Sequence, residues 1–391
     1  MSKKNLIVGQ SGGPTAVINS SLYGVVSEGL AHSDEIGHVY GMVNGIEGFL
    51  AGRVLDFEEV LPGEKLAYLT HTPGAYLGSC RYKLPESLED PVYPELFRKF
   101  EEMNIGWFFY IGGNDSMDTV SKLSRYAAKI GSSIRVIGSA AKYVASTVRK
   151  ITLDANVYEK KSVTIIEIMG RHAGWLTAAS ALARKYDGDN PLFIYLPETD
   201  FDQEAFLKDL EKAFETNCNL IVCVSEGIHD AEGTFICEYD SSVGTDTFGH
   251  KMLAGCGKYL ENLVRSRLGV KARSVELNVS QRCSAAMMSA TDQQEAVAAG
   301  KFGVQAALNG ETGKMVSFIR EADADGNYQM VCGLEDVNEI CNQEKVVPAE
   351  WITPDGHDVT EDFVRYARPL IQGDVNVPLG EDGLPAFVYR K

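Results

Sequence analysis

The sequence predicts an α/β protein built from two doubly wound lobes with mostly parallel sheets. Apolar runs with strand character alternate with helical patterns along nearly the whole chain. These runs are continuous and rich in Val, Ile and Phe, which is typical of strands that helices cover on both faces. The chain has 391 residues, 45% of them hydrophobic, which is enough material for two cores.

The strand–helix units follow one another in order, and each begins with a short apolar run. The predicted strands are "NLIVGQ", "WFFYIGG", "SIRVIG", "SVTIIEIMG", "PLFIYLPE" and "NLIVCVSEG". The helical patterns that follow them are "VINSSLYGVVSEGLA", "SMDTVSKLSRYAAKI", "SAAKYVASTVRKI", "HAGWLTAASALARKY", "DQEAFLKDLEKAFET" and "HKMLAGCGKYLENLVRSRL". In such an architecture ligands bind outside the carboxyl ends of the strands.

The stretch after about residue 313 is less regular. "MVSFIR" predicts a strand, and "EDFVRYARPLI" predicts a helix with Thr360 as its N-cap. The tail is rich in Gly and Pro, which indicates an irregular surface segment.

The charge balance argues against a protein that binds nucleic acid. There are 37 Lys and Arg against 54 Asp and Glu, a formal net charge of -17, whereas nucleic acid needs a basic surface. No apolar run has the length of a membrane span, and no signal peptide precedes the first strand pattern. The eight cysteines form no CxxC pair, so a zinc site is not indicated. We therefore expect a reduced, cytoplasmic protein.

A glycine-rich segment, "GQSGGPTAVIN" (9–19), follows the first predicted strand. Gly12 and Gly13 would let the backbone approach a ligand closely, and the next helix would point its positive end at an anion. The segment matches neither the Walker A pattern nor the GxGxxG dinucleotide fingerprint. A tight turn without a ligand is an equal alternative at this point.

The segment "FFYIGGNDSMDTV" (108–120) places an acid where an anion is expected. A glycine turn between a strand and a helix favours phosphate, because free N–H groups converge there. Asn114, Asp115 and Ser116 are also ordinary helix caps, yet Asp115 would repel a phosphate. "PGAYLGSCRYK" (73–83) adds Arg81 and Lys83, cations that suit phosphate but are also common on solvated surfaces.

A third strand end lies in "IIEIMGRHAGWL" (165–176). Met169, Gly170 and Arg171 would stand at the start of a helix, where the helix and the guanidinium would both bind an anion. We expect the neighbouring His172 to pack against the protein.

Glu226 ends the strand "NLIVCVSEG", where its carboxylate suits sugar hydroxyls. Arg273 and Arg282 come from "KARSVELNVSQR", a further strand and its exit. Cations and an acid at strand ends in both lobes indicate a phosphorylated, hydroxyl-rich substrate in the cleft between the lobes.

Taken together, these motifs resemble the phosphofructokinase superfamily. Over residues 5–300 the family's order and spacing are matched by "SGGPTAVIN", "LGSCR", "IGGNDS", "EIMGRHAGW", "SEGI", "FGHKMLAGCGKYL" and "SQR". The resemblance implies two Rossmann-like lobes, Mg²⁺, a homodimer or homotetramer, and phosphoryl transfer to the 1-hydroxyl of fructose 6-phosphate. Residues 1–138 with about 283–391 would form the donor lobe, and residues 139–282 the sugar-phosphate lobe.

The resemblance also offers a reason for Asp115. Members that use ATP have glycine at the matching position, which leaves room for the α-phosphate of the nucleotide. Members that use pyrophosphate have aspartate there. A carboxylate would exclude ATP by volume and charge and leave space for the shorter donor, so Asp115 predicts a pyrophosphate-dependent phosphofructokinase.

Carried over position by position, the resemblance assigns ligands to both substrates. The donor ligands would be Gly12, Gly13, Arg81, Asn114 and Ser116. The sugar-phosphate ligands would be Met169, Gly170, Arg171, Glu226, Arg273 and Arg282, and some of these arginines reach across a subunit interface in the family. Arg171 is also expected to neutralise charge in catalysis. Asn114 stands where the family has a metal-binding aspartate, and its amide oxygen would hold Mg²⁺ with less charge. Val279 replaces a Tyr or His of many relatives.

The largest departure lies between Gly138 and Ser139, which are adjacent in this chain. The family carries a loop there with the sequence PKTIDND, whose first Asp is the general base and whose Lys helps to bind pyrophosphate. Three explanations are open. The first is that the natural protein has a mobile loop that this sequence omits, and the second is that the loop was deleted. The third is that another carboxylate, Asp154 or Asp115, replaces its base. We favour the first explanation, because the motif order resumes directly afterwards.

Two other functions stay open. One is an ATP-dependent 6-phosphofructokinase. The other is a catalytically silent regulatory homologue that binds the sugar phosphate, which would apply if the base-bearing loop is truly absent.

Overall fold

The computed structural model describes residues 3–80, 82–130, 132, 143–155, 157, 159–239, 255–341 and 343–390. The chain divides into two compact units. The first unit consists of Met1–Ala140, Arg282–Gln343 and Gly373–Lys391. The second unit consists of Ala141–Gln281 and Glu344–Gln372.

The strands of the described residues form three sheets. They are β1 Lys4–Gln10, β2 Ile36–Met42, β3 Val54–Asp56, β4 Ile105–Ile111, β5 Ser162–Ile168, β6 Phe193–Tyr195, β7 Asn219–Ser225, β8 Lys271–Glu276, β9 Lys314–Ala322 and β10 Tyr328–Asp336.

The α-helices of the same residues mostly connect these strands. They are α1 Ile18–Ala31, α2 Gly45–Leu50, α3 Phe57–Val60, α4 Val92–Glu102, α5 Asn114–Ile130, α6 Tyr143–Ala155, α7 Trp175–Ala178, α8 Gln203–Ala213, α9 Cys256–Leu268, α10 Ser280–Cys283, α11 Ala290–Leu308, α12 Val337–Ile340 and α13 Glu361–Ala367. Within the described ranges, none of the helices has the length and apolar character needed to cross a membrane.

The sheet of the first unit has the order β3-β2-β1-β4. β1 pairs in parallel with β2 and β4, whereas β3 pairs antiparallel with β2. Leu6 and Val8 of β1 point into one apolar cluster and Ile7 points into another. Because successive side chains alternate between faces, β1 is buried on both sides, and this explains its continuous apolar sequence.

The sheet of the second unit has the order β6-β7-β5-β8, and all its pairs are parallel. Val163 and Ile165 of β5 belong to one core cluster, and Ile166 and Ile168 belong to the cluster on the opposite face. The predicted fold class, α/β with mostly parallel sheets, is confirmed.

The structure adds elements that the sequence reading did not predict. β2, β3 and β10 are short or carry glycine and polar residues, so none of them gives a continuous apolar signal. β10 pairs antiparallel with β9, the strand predicted from "MVSFIR". Thr360 does precede α13 as expected, but its side chain makes no capping hydrogen bond.

One part of the domain prediction is wrong. Residues 344–372 were expected in the first lobe, yet they belong to the second unit. Phe363, Val364 and Ala367 of α13 are buried in the same cluster as Ile168 and Ile194 of the second sheet. The apolar face of α13 therefore determines where this segment packs.

Helices α1 and α11 of the first unit touch through their backbones. A Cβ built on Gly24 would lie 2.3 Å from the carbonyl oxygen of Val297 and 3.0 Å from the Cα of Gly300. A Cβ built on Gly300 would lie 2.4 Å from the carbonyl oxygen of Ser21. Only glycine lets the two helices approach so closely.

The C-terminal tail of the described chain is bound to the segment around residue 72. The ring nitrogen Nε2 of His71 lies 3.1 Å from the Ala386 carbonyl oxygen, and the Val388 nitrogen donates to Thr72 Oγ1 at 3.1 Å. His71 is buried, and burial lowers its pKa despite the hydrogen bond.

We expect acid to loosen this tail. Because the pKa of His71 is lower in the folded protein than in the unfolded chain, the unfolded chain takes up a proton first as the pH falls below about 6.5. The stabilisation is therefore complete above that pH and is lost as the pH falls through the folded-state value. Hydrogen exchange of residues 385–390 should speed up several-fold between pH 7.5 and 5.0, after correction for intrinsic rates.

The variant His71→Gln is the control, because its amide can donate to Ala386 and does not titrate. Its tail should show no such change with pH. An equal acceleration in both proteins would contradict the role of His71.

Candidate active-site residues

The loops that follow β1 and β4 lie side by side in the first unit. The strands are parallel neighbours with Gln10 in register with Ile111, so they end at the same edge of the sheet. Gly12 has a φ of 78°, a left-handed conformation that glycine adopts without strain. A Cβ built on Gly12 would lie 3.7 Å from the Gly113 nitrogen. The two glycine-rich loops therefore meet.

Two fully buried amides, Gln10 and Asn19, hold the loop that carries the "LGSCR" motif. Gln10 Oε1 accepts from the Leu77 nitrogen at 2.9 Å, and Gln10 Nε2 donates to Asn19 Oδ1 at 3.0 Å. Asn19 Oδ1 accepts from the Tyr76 nitrogen at 2.9 Å, and Asn19 Nδ2 donates to the Thr72 carbonyl at 2.8 Å. Buried networks whose groups are paired are rigid. Sequence reasoning missed both amides.

Two serines join the "LGSCR" loop to the first glycine loop. Ser79 Oγ donates to the Gly12 carbonyl at 2.7 Å, and Ser11 Oγ donates to the Cys80 carbonyl at 3.3 Å. Arg81, which was predicted as a donor ligand, lies outside the described residues. The residues directly before it are nevertheless fixed beside Gly12.

Helix α5 begins at Asn114, directly after the second glycine loop. The side chains of Asn114 and Asp115 lie outside the described residues. Ser116 is 2% exposed, and among the described residues its Oγ has no hydrogen-bond partner. A Cβ built on Gly112 would lie 2.0 Å from this oxygen. Since a buried hydroxyl without a partner costs free energy, a ligand at the start of α5 would stabilise it.

Lys122, further along α5, is buried and was missed by sequence reasoning. Its Nζ donates to the Leu84 carbonyl at 3.0 Å, to Glu86 Oε1 at 2.5 Å and to Asp118 Oδ2 at 2.7 Å. Burial acts to lower the pKa of Lys122, but the hydrogen bonds and charges of the two carboxylates raise it. The i, i+4 spacing of Asp118 and Lys122 was the available signal. Lys122 ties α5 to the segment that follows Arg81.

Arg282 belongs to the first unit and lies beside the first glycine loop. Its Nη1 is 3.5 Å from a Cβ built on Gly13. Arg282 was predicted as the last residue of the sugar-phosphate lobe, but the first stretch of the second unit ends one residue earlier, at Gln281. A guanidinium beside a glycine loop is well placed for a phosphate.

Three neighbouring strands of the second unit end at one edge of their sheet. The Glu226 nitrogen, just beyond β7, donates to the Ile168 carbonyl of β5 at 2.9 Å. The Leu277 nitrogen, just beyond β8, donates to the Glu167 carbonyl at 3.0 Å. The segments after β5, β7 and β8 therefore converge.

Three predicted ligands meet at this edge: Met169, Gly170 and Glu226. The Met169 nitrogen donates to Gln281 Oε1 at 3.1 Å, and the Gly170 nitrogen donates to Glu226 Oε1 at 3.3 Å. The Ser225 hydroxyl donates to the Gly170 carbonyl. Sequence reasoning missed Gln281, although its position next to the arginine of "SQR" was a signal.

The backbone of Arg171 packs directly on Gly227. A Cβ built on Gly227 would lie 1.9 Å from the Arg171 carbonyl oxygen and 2.6 Å from its carbonyl carbon. Arg171 therefore lies at the same edge as the three ligands above. The expectation that His172 packs against the protein is wrong, because this residue is exposed.

Arg273 does not join these residues within the chain. It lies in the middle of β8, in register with Thr164, which is six residues before Gly170. At about 3.3 Å per residue the separation along the strand is roughly 20 Å. Its Nη1 lies 3.6 Å from Asp154 Oδ2, with 38% and 72% of the two side chains exposed.

The place of the expected base loop, between Gly138 and Ser139, lies outside the described residues. Helix α6 follows it, and this helix carries Asp154, one of the two carboxylates considered as a substitute base. Because Asp154 pairs with Arg273 on a surface far from Gly170, the geometry of the second unit does not favour it as a base.

The chain matches a known protein family. The phosphofructokinase family profile matches residues 5–307, which is most of the chain. The chain belongs to the phosphofructokinase family.

Relatives resemble this phosphofructokinase over its whole length. A relative from Methylococcus capsulatus (Bath), named pyrophosphate–fructose 6-phosphate 1-phosphotransferase, is 37% identical over 99% of this chain and 96% of its own. The solved pyrophosphate-dependent phosphofructokinase from Marinobacter aquaeolei is 34% identical with a TM-score of 0.86, covering 98% of this chain and 95% of that one. The solved pyrophosphate-dependent phosphofructokinase from Nitrosospira multiformis is 30% identical with a TM-score of 0.88, covering 99% of this chain and 96% of that one. The predicted family is confirmed.

The same comparison bears on the length of the chain. The alignment with the Methylococcus relative runs over 410 positions, more than the 391 residues of this phosphofructokinase. That relative therefore has residues with no counterpart here.

Proposed function

We propose that this phosphofructokinase reversibly transfers a phosphoryl group from pyrophosphate to the 1-hydroxyl of fructose 6-phosphate, giving fructose 1,6-bisphosphate and phosphate. The observation that carries the proposal is the whole-chain similarity to relatives named for this reaction. Asp115 supports the same donor, because a carboxylate at the start of α5 would meet the α-phosphate of a nucleotide and would leave pyrophosphate room.

The donor would bind to the first unit. Gly12 and Gly13 offer backbone N–H groups in a loop that the serine contacts hold in place, and α5 points its positive end to the same loops. The hydroxyl of Ser116 is buried and has no hydrogen-bond partner among the described residues. Arg81 would neutralise the phosphate charge. Arg282, which is predicted to bind the sugar phosphate, lies beside Gly13 of this loop, so its charge would act on the donor as well.

The sugar phosphate would bind to the second unit. Glu226 would accept hydrogen bonds from sugar hydroxyls, and its Oε1 is already oriented by the Gly170 nitrogen. Arg171 would hold phosphate charge at the start of the following turn. Met169 and Gly170 would line the site.

Mg²⁺ is part of the proposal. It prefers hard oxygen ligands, and the start of α5 offers the Asn114 amide oxygen and the Ser116 hydroxyl, which is buried and unpaired within the described part of the chain. Asn114 would hold the ion directly or through a water molecule. The ion would neutralise phosphate charge during transfer.

The main tasks of the protein in this reaction are positioning and charge neutralisation, because phosphoryl transfer has a loose transition state. The 1-hydroxyl oxygen attacks the terminal phosphorus of pyrophosphate, the bond to the bridging oxygen breaks, and phosphate leaves. A base must take the hydroxyl proton, and the chain has no base-bearing loop between Gly138 and Ser139. Loss of a general base typically costs a factor of about 10²–10⁴. We therefore expect this chain to bind both substrates and to turn over slowly.

The position of Arg273 leads us to include a homodimer or homotetramer in the proposal. Arg273 lies roughly 20 Å from Gly170 along its own sheet, so it would reach a sugar phosphate only in a neighbouring subunit. β8, which carries it, is an edge strand of its sheet. The enzyme would work in the cytoplasm, without a nucleic-acid or membrane partner.

Replacement of Asp115 by glycine is expected to admit ATP as a donor. The change removes the volume and the negative charge that exclude the α-phosphate. The ATP-dependent rate should rise about 10-fold or more, which corresponds to a barrier lower by about 1.4 kcal/mol. Initial rates of fructose 1,6-bisphosphate formation, measured with each donor, check this prediction.

Asp118→Asn is the matched control, because it removes a carboxylate from the same helix while its amide oxygen can still accept from Lys122. The ratio of the rates with the two donors should therefore stay unchanged. Equal ATP rates in the wild type and in Asp115→Gly would contradict the steric explanation. A wild type that works faster with ATP would support the ATP-dependent kinase. Binding without turnover by a protein with a mass of 42.7 kDa would support the silent homologue.

A further inference from the structure

A residue outside the proposed ligand set fixes the β5–α7 loop, residues 169–174. Glu198 follows β6, and its Oε1 accepts from the Gly174 nitrogen at 2.8 Å and from the Val347 nitrogen at 2.9 Å. One carboxylate oxygen therefore joins the β5–α7 loop to residues 344–372, which we call the clamp segment.

The second carboxylate oxygen of Glu198 lies against the backbone of the β5–α7 loop. Oε2 is buried and has no hydrogen-bond partner among the described residues. A Cβ built on Gly174 would lie 2.7 Å from this oxygen, so the backbone of the loop packs directly on it. A buried oxygen without a partner costs free energy. The two hydrogen bonds to Oε1 must outweigh that cost.

The clamp segment also binds the residue that follows Gly174. Trp175 Nε1 donates to the Lys345 carbonyl at 2.7 Å. The Trp175 ring lies 6.1 Å from that of Trp351 and 5.6 Å from that of Tyr366, measured between centroids. The end of the β5–α7 loop is therefore held by a backbone hydrogen bond and by an aromatic cluster.

The beginning of the loop is held independently by the end of β7. The Gly170 nitrogen donates to Glu226, and the Ser225 hydroxyl donates to the Gly170 carbonyl. The Arg171 carbonyl rests against Gly227. Arg171 thus lies between two fixed points, one on β7 and one on Glu198.

We propose that Glu198 is a positioning residue for Arg171, and that the clamp segment holds the β5–α7 loop through Glu198 and through Trp175. This inference rests on the proposed function, in which Arg171 binds the sugar phosphate. Binding groups must be held within about 0.5 Å of their productive position. Release of the Gly174 nitrogen frees the second end of the loop, and Arg171 is only three residues away from it.

The test compares Glu198→Ala with Glu198→Gln in the full-length protein. Gln keeps the oxygen that accepts both hydrogen bonds and loses only the charge. Hydrogen exchange of residues 169–175 should speed up about 10-fold in Glu198→Ala, and the affinity for fructose 6-phosphate, measured by calorimetry, should fall about 10-fold. The affinity for pyrophosphate should change less than about two-fold. Glu198→Gln should match the wild type in each measurement.

A third variant, Trp175→Phe, keeps an aromatic ring but removes the donor to Lys345. It should weaken fructose 6-phosphate binding several-fold, and it carries the test if Glu198→Ala does not fold. Unchanged exchange in Glu198→Ala would overturn the inference, as would faster exchange with unchanged fructose 6-phosphate affinity. A Glu198→Gln variant as weak as Glu198→Ala would assign the effect to charge and would also overturn it. A wild type that binds no fructose 6-phosphate would instead refute the proposed function, and hydrogen exchange would then decide the role of Glu198 alone.

Discussion

Alanine at position 227 is expected to lower the kcat/KM for fructose 6-phosphate roughly 10²-fold, because misplacement of a binding group by about 1 Å can cost that much. The new Cβ would lie 1.9 Å from the Arg171 carbonyl oxygen, and this neighbour is backbone that cannot rotate away. Arg171 must therefore shift. Steady-state rates with fructose 6-phosphate varied at saturating pyrophosphate, together with the KM for pyrophosphate, measure the effect.

The matched control for Gly227→Ala is Gly233→Ala in the same unit. Gly233 has a φ of 79° and no atom within 4 Å of a built Cβ, so alanine there introduces backbone strain without a clash. It should cost about 1 kcal/mol of stability and leave the kinetics unchanged. Equal losses of activity in both variants would contradict the role that we give to the contact with Arg171.

Replacement of Gly300 by alanine should lower the free energy of unfolding by about 3 kcal/mol, which is the upper end of the usual range for overpacked cores. This is the largest loss of stability that we expect among the proposed variants. The new Cβ would lie 2.4 Å from the Ser21 carbonyl oxygen and 2.7 Å from the Val25 nitrogen. Alanine normally favours a helix by about 1 kcal/mol over glycine, but the contact with a second backbone outweighs this gain. Denaturant unfolding of the purified protein measures the difference, and Gly24→Ala should behave alike.

Gln294→Ala provides the control for this prediction, because Gln294 is an exposed residue of the same helix. Its unfolding free energy should stay within about 0.5 kcal/mol of the wild type. A Gly300→Ala protein as stable as the wild type would show that α1 and α11 do not touch as described.

The sequence allowed most of the fold to be predicted where a strand is buried on both faces. β1, β5 and β7 read as continuous apolar runs because helices cover both sides of their sheets. β2 contains Gly and His, and β3 has only three residues, so neither gave such a run. Residues 344–372 belong to the second unit because α13 packs in the core of that unit. Tertiary packing decides this, and no local sequence pattern predicts it.

Several ligand residues of the candidate site could be predicted from the sequence, but the residues that hold its loops in place could not. Met169, Gly170 and Glu226 end buried strands, and parallel strands bring such ends together. Gln10 and Asn19 could not be found, because each acts through hydrogen bonds to backbone groups more than 50 residues away.

Arg273 shows a second limit of sequence reasoning. The motif order put it among the sugar-phosphate ligands, but its place in the middle of β8 separates it from them within one chain. A motif preserves the identity of a residue and does not record how far it lies from the other residues of the motif set in the folded chain.

The interleaved order of the two units bears on how the protein is made. The first unit is not complete until its last stretch, Gly373–Lys391, has left the ribosome, although its first stretch ends at Ala140. At 5–20 residues per second that interval lasts roughly 10–50 s. Helix α11 (Ala290–Leu308) is made within this interval, and until then the face of α1 that packs on α11 stays uncovered. Because each unit is assembled from separate stretches of the chain, neither unit could be expressed alone by a simple truncation.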